Sequence, residues 1–253
     1  MSKDSDQVHP PTDPCALTGE KGHSKLVSRI LSPAVQLWLR SQLLHVGSLQ
    51  VKIEGSDRQL LKGSIPRVSL LARDAIYQGL HLTEVKATAK DININLGQVL
   101  RGKPLRILAP FPISCELQLL EADLNASFNS PILTNALIDF LRPILPLEEL
   151  SANMISPINL KEPRTVIAPG KLTLLATISS PNCSPISLLM GTAIELTSPR
   201  ELLFQILEGK LSSTENNLPA KNINIDLGSE VEIEQLTLTS ERLFVKGQLT
   251  VQP

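Results

Sequence analysis

The sequence predicts an α+β fold: one helix, a run of antiparallel strands, a second helix near the middle, then strands to the end. Three observations lead there. Apolar residues between positions 26 and 39 recur at helical spacing. From Gly47 the period becomes two, with Leu49, Val51 and Ile53 alternating with Gln50, Lys52 and Glu54. The strand candidates are short, consecutive and divided by polar turns, as in antiparallel meanders.

Residues 1–24 are rich in Pro, Asp, Ser, Gly and Lys, and read as a disordered leader before a single domain at 25–253. In the first helix Leu26, Val27, Ile30, Leu31, Ala34, Val35, Trp38 and Leu39 make a broad apolar face. Pro33 suggests a break there, with Ser32 as cap and a helix running on to about Leu44. After a turn at Gly55-Ser56-Asp57, strands are expected at 60–73, 80–88, 90–96 and 113–121. A second helix follows, with Ser130 as cap, Pro131 in the first turn, a stripe of Ile132, Leu133, Ala136, Leu137, Phe140 and Leu141, and a stop at Arg142-Pro143. Strands resume at 164–168, 171–179 and 186–197. A short helix is expected at 199–208, capped by Ser198 and burying Leu202, Leu203, Ile206 and Leu207, then a flexible loop at 209–220. Strands at 221–227, 230–239 and 242–251 close the chain. The octet Lys90–Gly97 recurs at Lys221–Gly228 with six identities in eight, which matched strand ends or simple convergence explains equally.

Leucine supplies 45 of 253 residues against seven aromatics, so the interior is large and aliphatic. Nucleic-acid platforms and polar substrate pockets need more rings and more convergent polar groups, and no nucleic-acid partner is expected. Net charge is −1, yet residues 26–106 carry +7 and residues 107–253 carry −7. The cationic half can attract an anionic surface; that the opposite halves simply face each other or are solvated explains the split equally. Cys15, Cys115 and Cys183 are odd in number and far apart, which suits a reducing compartment. No apolar run is long enough to span a membrane, and the start has no signal-peptide core.

Catalytic and cofactor signals are weak. Gly97, Gly102 and Lys103 keep the spacing of a phosphate-binding loop, but Pro104 stands where a hydroxyl and a helix start are required. Glu121 with Asp123, or Glu148 with Glu149, could pair as acid and base; Asp123 capping a turn and Glu148-Glu149 in solvent are the simpler readings. His45 and His81 lack a carboxylate or cysteine arrangement. No enzyme activity, cofactor or metal is therefore expected. Residues 101–112 set Arg101, Lys103 and Arg106 beside a proline-stiffened apolar segment with Leu108 and Phe111. Such a segment suits docking on an anionic bilayer, or its apolar residues fold into the core.

Several segments together resemble the LmeA-like phospholipid-binding family: Leu26–Arg40, Tyr77-Gln78-Gly79-Leu80, Gly102-Lys103-Pro104-Leu105, Ala122–Ser127, and the ending from Leu227 through Gly247. The resemblance implies a strongly curved antiparallel β-sheet wrapped around an N-terminal helix, similar to tubular lipid-binding domains, with the second helix central. It implies no catalytic residues. An aliphatic groove for acyl chains is then expected. Leu31, Val35, Trp38 and Leu39 with Leu133, Leu137, Phe140 and Leu141 form one wall, Ile92, Ile94 and Leu119 another, and Arg101, Lys103 and Arg106 meet headgroups beside Leu108 and Phe111. The expected partner is phospholipid or a membrane surface. The expected location is cytoplasmic, peripheral on the membrane, although family members with a signal peptide act outside it. The alternative is a protein-interaction module with a fully packed core.

Overall fold

The computed structural model of the chain describes residues 26–99, 101–104, 106–145, 159–180, 183–212, 218 and 220–253. Helix α1 (Leu26–Gln42) leads into β1 (His45–Glu54), a short α2 (Asp57–Leu61), the long hairpin β2 (Ser64–Tyr77) and β3 (Leu80–Asn93), α3 (Leu96–Val99) and β4 (Phe111–Leu120). A helical bridge follows: α4 (Glu121–Ala126), a 3-10 turn and α5 (Pro131–Leu141). Then come β5 (Asn159–Ala168), β6 (Lys171–Ser180), β7 (Cys183–Ser198), β8 (Glu201–Leu211), β9 (Asn222–Asp226), β10 (Val231–Thr239) and β11 (Arg242–Val251). The fold is α+β and mostly antiparallel strand, as the alternating pattern requires.

The strands form two sheets, ordered β1-β2-β3-β4-β11-β10 and β5-β6-β7-β8-β9. The chain builds most of the first sheet, crosses by α4 and α5 to build the second, and returns so that β11 pairs with β4 from Arg242 opposite Leu120 to Val251 opposite Phe111. The sheets meet at their ends. Gly170 N–H donates to Leu238 O, Glu241 N–H to Ile167 O and Ile233 N–H to Pro199 O, so hairpin turns of the second sheet are tied to the β10–β11 hairpin of the first. Register shifts in β5, β7 and β10 mark bulges, which bend and twist long strands.

The core divides in the same way. Leu141, Leu174, Ile178, Leu188, Met190 and Ile206 form one apolar cluster between α5 and the second sheet. Ile53, Leu60, Ile65, Ile92 and Phe111 form another on the first sheet, with Val35 and Ile94 packed against it. Leu49, Ala72 and Ala75 make a third, covered by Leu39 and Leu43.

Four expectations need correction. The helix at 199–208 is strand β8, because Pro199-Arg200 is only a tight turn and β7 and β9 hydrogen-bond the segment from both sides. A ten-residue helix is marginal on its own, and two full ladders outweigh it. The leading segment of the 209–220 loop is the end of that strand, and Leu218 is buried with its N–H donating to Gly209 O. Residues 80–88 and 90–96 belong largely to one strand, β3. Pro33 does not break α1: the helix runs through it, and Ser32 accepts from Ile53 N–H at 3.3 Å instead of capping. Gln36 Nε2 donates to Leu49 O at 2.6 Å, so contacts to β1 hold the helix across the missing proline donor. The similar octets diverge as well. One closes β3 and bridges Ile94 to Ile107, while the other forms the edge strand β9.

Candidate functional site

The bridge between the sheets consists of short polar side chains spaced along residues 121–130, each satisfying a backbone or hydroxyl group of a neighbouring strand. Glu121 accepts from Ile167 N–H at 2.8 Å, and Asn125 pairs with Thr165; both partners lie on β5. Asp123 accepts from the Thr83 hydroxyl at 2.6 Å, and Ser127 accepts from His81 N–H at 2.8 Å; these partners lie on β3. Ser130 donates to Gln78 O at 2.9 Å in the β2–β3 turn. Asp123 and Ser130 were expected as local caps. Ser130 does stand at the N-cap of α5 but makes no side-chain cap bond; its hydroxyl and the Asp123 carboxylate bind the first sheet instead, since buried polar groups need partners. Glu148 and Glu149 lie outside the described residues.

This anchoring sets α5 over the second sheet with its apolar face down. Beneath it lies a cavity of about 280 Å³, partly open to solvent. Leu124, Phe128, Leu133, Ala136, Leu137 and Phe140 close it from the helical side; Leu172, Leu174, Met190, Ile194, Phe204 and Ile225 from the sheet. The Phe140 and Phe204 rings meet at 5.0 Å, tilted by 55°. The polar side chains on the wall are Thr165, bonded to Asn125 Oδ1 at 3.1 Å, and Thr192, whose buried hydroxyl has no partner among the described residues. No titratable side chain lines this space. Burial of each methylene placed there is worth about 0.8 kcal/mol before the costs of association.

The expected groove residues do not share one wall. Leu133, Leu137 and Phe140 line the cavity, and Leu141 is fully buried under the same helix. Leu39 lines a different apolar space of about 170 Å³ against β1, β2 and β3, together with Leu43, Leu82 and Tyr77. Val35, Ile92 and Ile94 pack around Phe111 in the first sheet, Leu119 is buried in β4 opposite Leu243, and Trp38 points outward, 57% exposed. The side chain of Leu31 lies outside the described residues. The sheet half of the cavity escaped the sequence reading. Leu172 with Leu174, and Met190, Thr192 and Ile194, each share a face by period two and were findable; Phe204 was hidden by the helix expected at its position.

The cationic loop is also ordered by one side chain. Asn95, buried at 7% exposure, donates from Nδ2 to Pro104 O at 3.0 Å and accepts at Oδ1 from Arg106 N–H at 2.7 Å. Arg101, Lys103 and Arg106 are exposed and form no ion pair among the described residues. Leu108 is 60% exposed, while Phe111 is core at 8%. Phe111 therefore folds into the core, while Leu108 does not. The loop leaves the Asn93 end of β3, whereas the α4–α5 bridge is tied to β3 at His81 and Thr83, about ten residues and roughly 30 Å away along the strand.

Elsewhere, Cys115 is a free thiol in β4, its pKa raised by burial and by neighbouring Glu116. No helix among the described residues is long and apolar enough to cross a membrane, and no metal-ligating cluster occurs among them. A family model described as LmeA-like phospholipid-binding matches residues 24–248. No curated protein and no solved structure shows a significant match.

Proposed function

The chain belongs to the LmeA-like phospholipid-binding family, and from that premise we propose that it carries one acyl chain of a phospholipid in the cavity between α5 and the second sheet. The observation that carries this reading is the cavity itself: about 280 Å³, walled by aliphatic and aromatic side chains with Thr165 and Thr192 among them, and with no charge inside. One chain would enter, and the second chain and the headgroup would stay at the mouth. Retention then rests on burial of methylenes rather than on polar recognition. The family description is one of binding, and the reading assigns no catalytic step.

The reading includes the architecture implied by the family, in which long bulged strands curl about helices as in tubular lipid-binding domains. The 14-residue β2 and β3, the 16-residue β7 and the bulges support it. It also includes peripheral membrane association on the cytoplasmic side. Arg101, Lys103, Arg106 and Leu108 are available as an electrostatic contact, and the free thiol of Cys115 suits a reducing compartment.

Native mass spectrometry of the purified protein tests the central point. Co-purifying phospholipid is expected, and it is lost in Ala136→Phe, which places a ring in the cavity. Protein that is empty after exposure to phospholipid vesicles, and instead purifies in a stable hetero-complex, would replace this reading with that of an interaction module.

A further inference from the structure

The cavity wall holds a polar group that the fold itself leaves unused. Thr192 on β7 is 2% exposed, and its hydroxyl has no hydrogen-bond partner among the described residues. The residue lines the cavity between Met190 and Ile194, which share its face two positions away on either side. Valine has the same shape without a hydroxyl, so packing of the strand gives no reason for threonine here. A buried hydroxyl left without a partner is destabilising, and native structures contain few of them. Thr165, the other polar side chain on the wall, shows the contrast. Its hydroxyl donates to Asn125 Oδ1 and belongs to the junction between the sheets.

The strand is irregular at this residue. In the β7–β8 ladder Gly191 stands opposite Glu208 and Thr192 opposite Ile206, so β8 carries Leu207 as an extra residue at this step. Bulges of this kind re-aim side chains and recur beside binding sites. No bond within the described protein holds the Thr192 hydroxyl in place, and rotation about Cα–Cβ between staggered positions is enough to present it to an occupant. A trapped water is a poor partner. It needs about two to four polar contacts, and Thr165 stands two strands and two residues away, roughly 12 Å along the sheet. The missing partner therefore belongs to the ligand.

The chemistry of that ligand group is restricted. No titratable side chain lines the cavity, so a phosphate, carboxylate or ammonium would be buried there without a counter-charge, which is prohibitive. An uncharged acceptor is required. In a phospholipid the uncharged oxygens bordering the hydrocarbon are the carbonyls of the acyl esters, and a carbonyl oxygen accepts from a hydroxyl. We infer that Thr192 donates a hydrogen bond to the ester carbonyl of the bound chain, so that the cavity selects ester-linked lipids over ether-linked ones. A site that hydrogen-bonds one group of its ligand rejects the analogue lacking it. The inference rests on the cavity reading above and adds to it the linkage that the cavity recognises.

Vesicles containing equal amounts of a diacyl phosphatidylglycerol and its dialkyl ether counterpart, with matched chain lengths, test this. After delipidated wild type is exposed to them, native mass spectrometry with release of the bound lipid should show the ester form in roughly three- to tenfold excess. The preference should vanish in Thr192→Val, which keeps the shape, and remain in Thr192→Ser, which keeps the hydroxyl. Thr192→Val should still carry lipid and, when delipidated, melt no lower than wild type. An ester-to-ether ratio that is the same in wild type and Thr192→Val overturns the inference. So does a delipidated Thr192→Val that melts well below wild type, since the hydroxyl would then be bonded inside the protein. A wild type that takes up neither lipid removes the cavity reading itself, whereas one that takes up both equally leaves that reading standing and removes only the ester contact.

Discussion

Asn125 and Thr165 exchange three hydrogen bonds across the junction of the two sheets: Thr165 N–H and its hydroxyl donate to Asn125 Oδ1 at 2.7 and 3.1 Å, and Asn125 Nδ2 donates to Thr165 O at 3.0 Å. The side-chain amide thereby acts as a short extra strand for β5, and Thr165 is 4% exposed. Asn125→Ala would leave a buried donor and acceptor unpaired, a cost of about 2–4 kcal/mol. Asn125→Asp would keep the acceptor and set a carboxylate against Thr165 O, with a similar loss. Urea unfolding midpoints measure both. A cost below roughly 0.5 kcal/mol for each would show that Asn125 does not fasten the sheets.

Gly79 has φ of +83°, and a Cβ there would meet Ser130 Cβ at 3.1 Å. Gly79→Ala therefore combines left-handed backbone strain with a clash at the start of α5. A loss of about 1–3 kcal/mol is expected, with weaker lipid retention because α5 is displaced. Thermal unfolding and native mass spectrometry, measured on the same sample, check both halves.

Ala136→Phe makes the opposite demand. Ala136 is exposed at one side and lines the cavity at the other, so a ring can enter the space without displacing buried atoms. Stability should stay within about 1 kcal/mol of wild type or rise, while bound lipid disappears.

The loop responds to Asn95. Replacing it with Ala removes the bonds to Pro104 O and Arg106 N–H, so trypsin should cut after Arg101 or Arg106 several-fold faster, with little change in global melting. Equal cleavage rates would mean the loop is held by other contacts.

The Lys171 ammonium beside Glu208 holds its carboxyl below the ordinary carboxylate range. A depressed carboxyl contributes stability that is present above its unfolded pKa of about 4.3 and is lost as pH falls through the folded value. The melting difference between wild type and Glu208→Gln should thus be largest near pH 7, shrink toward zero in acid, and diminish with salt. The pair crosses over Gly191, where a Cβ would meet Lys171 Cε at 2.7 Å.

Local pattern alone was enough for much of this protein. Period two in Leu49–Ile53 and in the closing strands, and the Ser130-Pro131 start with its Leu133, Leu137 and Phe140 stripe, are consequences of backbone geometry within one segment. The α5 part of the cavity wall, Leu133, Ala136, Leu137 and Phe140, was legible for that reason. Only tertiary structure could turn 201–211 into a strand, since Leu202, Leu203 and Ile206 satisfy either period until β7 and β9 offer their hydrogen bonds. Tertiary structure also separated α1 from α5. Both present aliphatic stripes to some sheet, and nothing in a stripe names which one. Polar side chains such as Asn125 and Ser127 decide that, by matching backbone groups some forty residues distant in sequence.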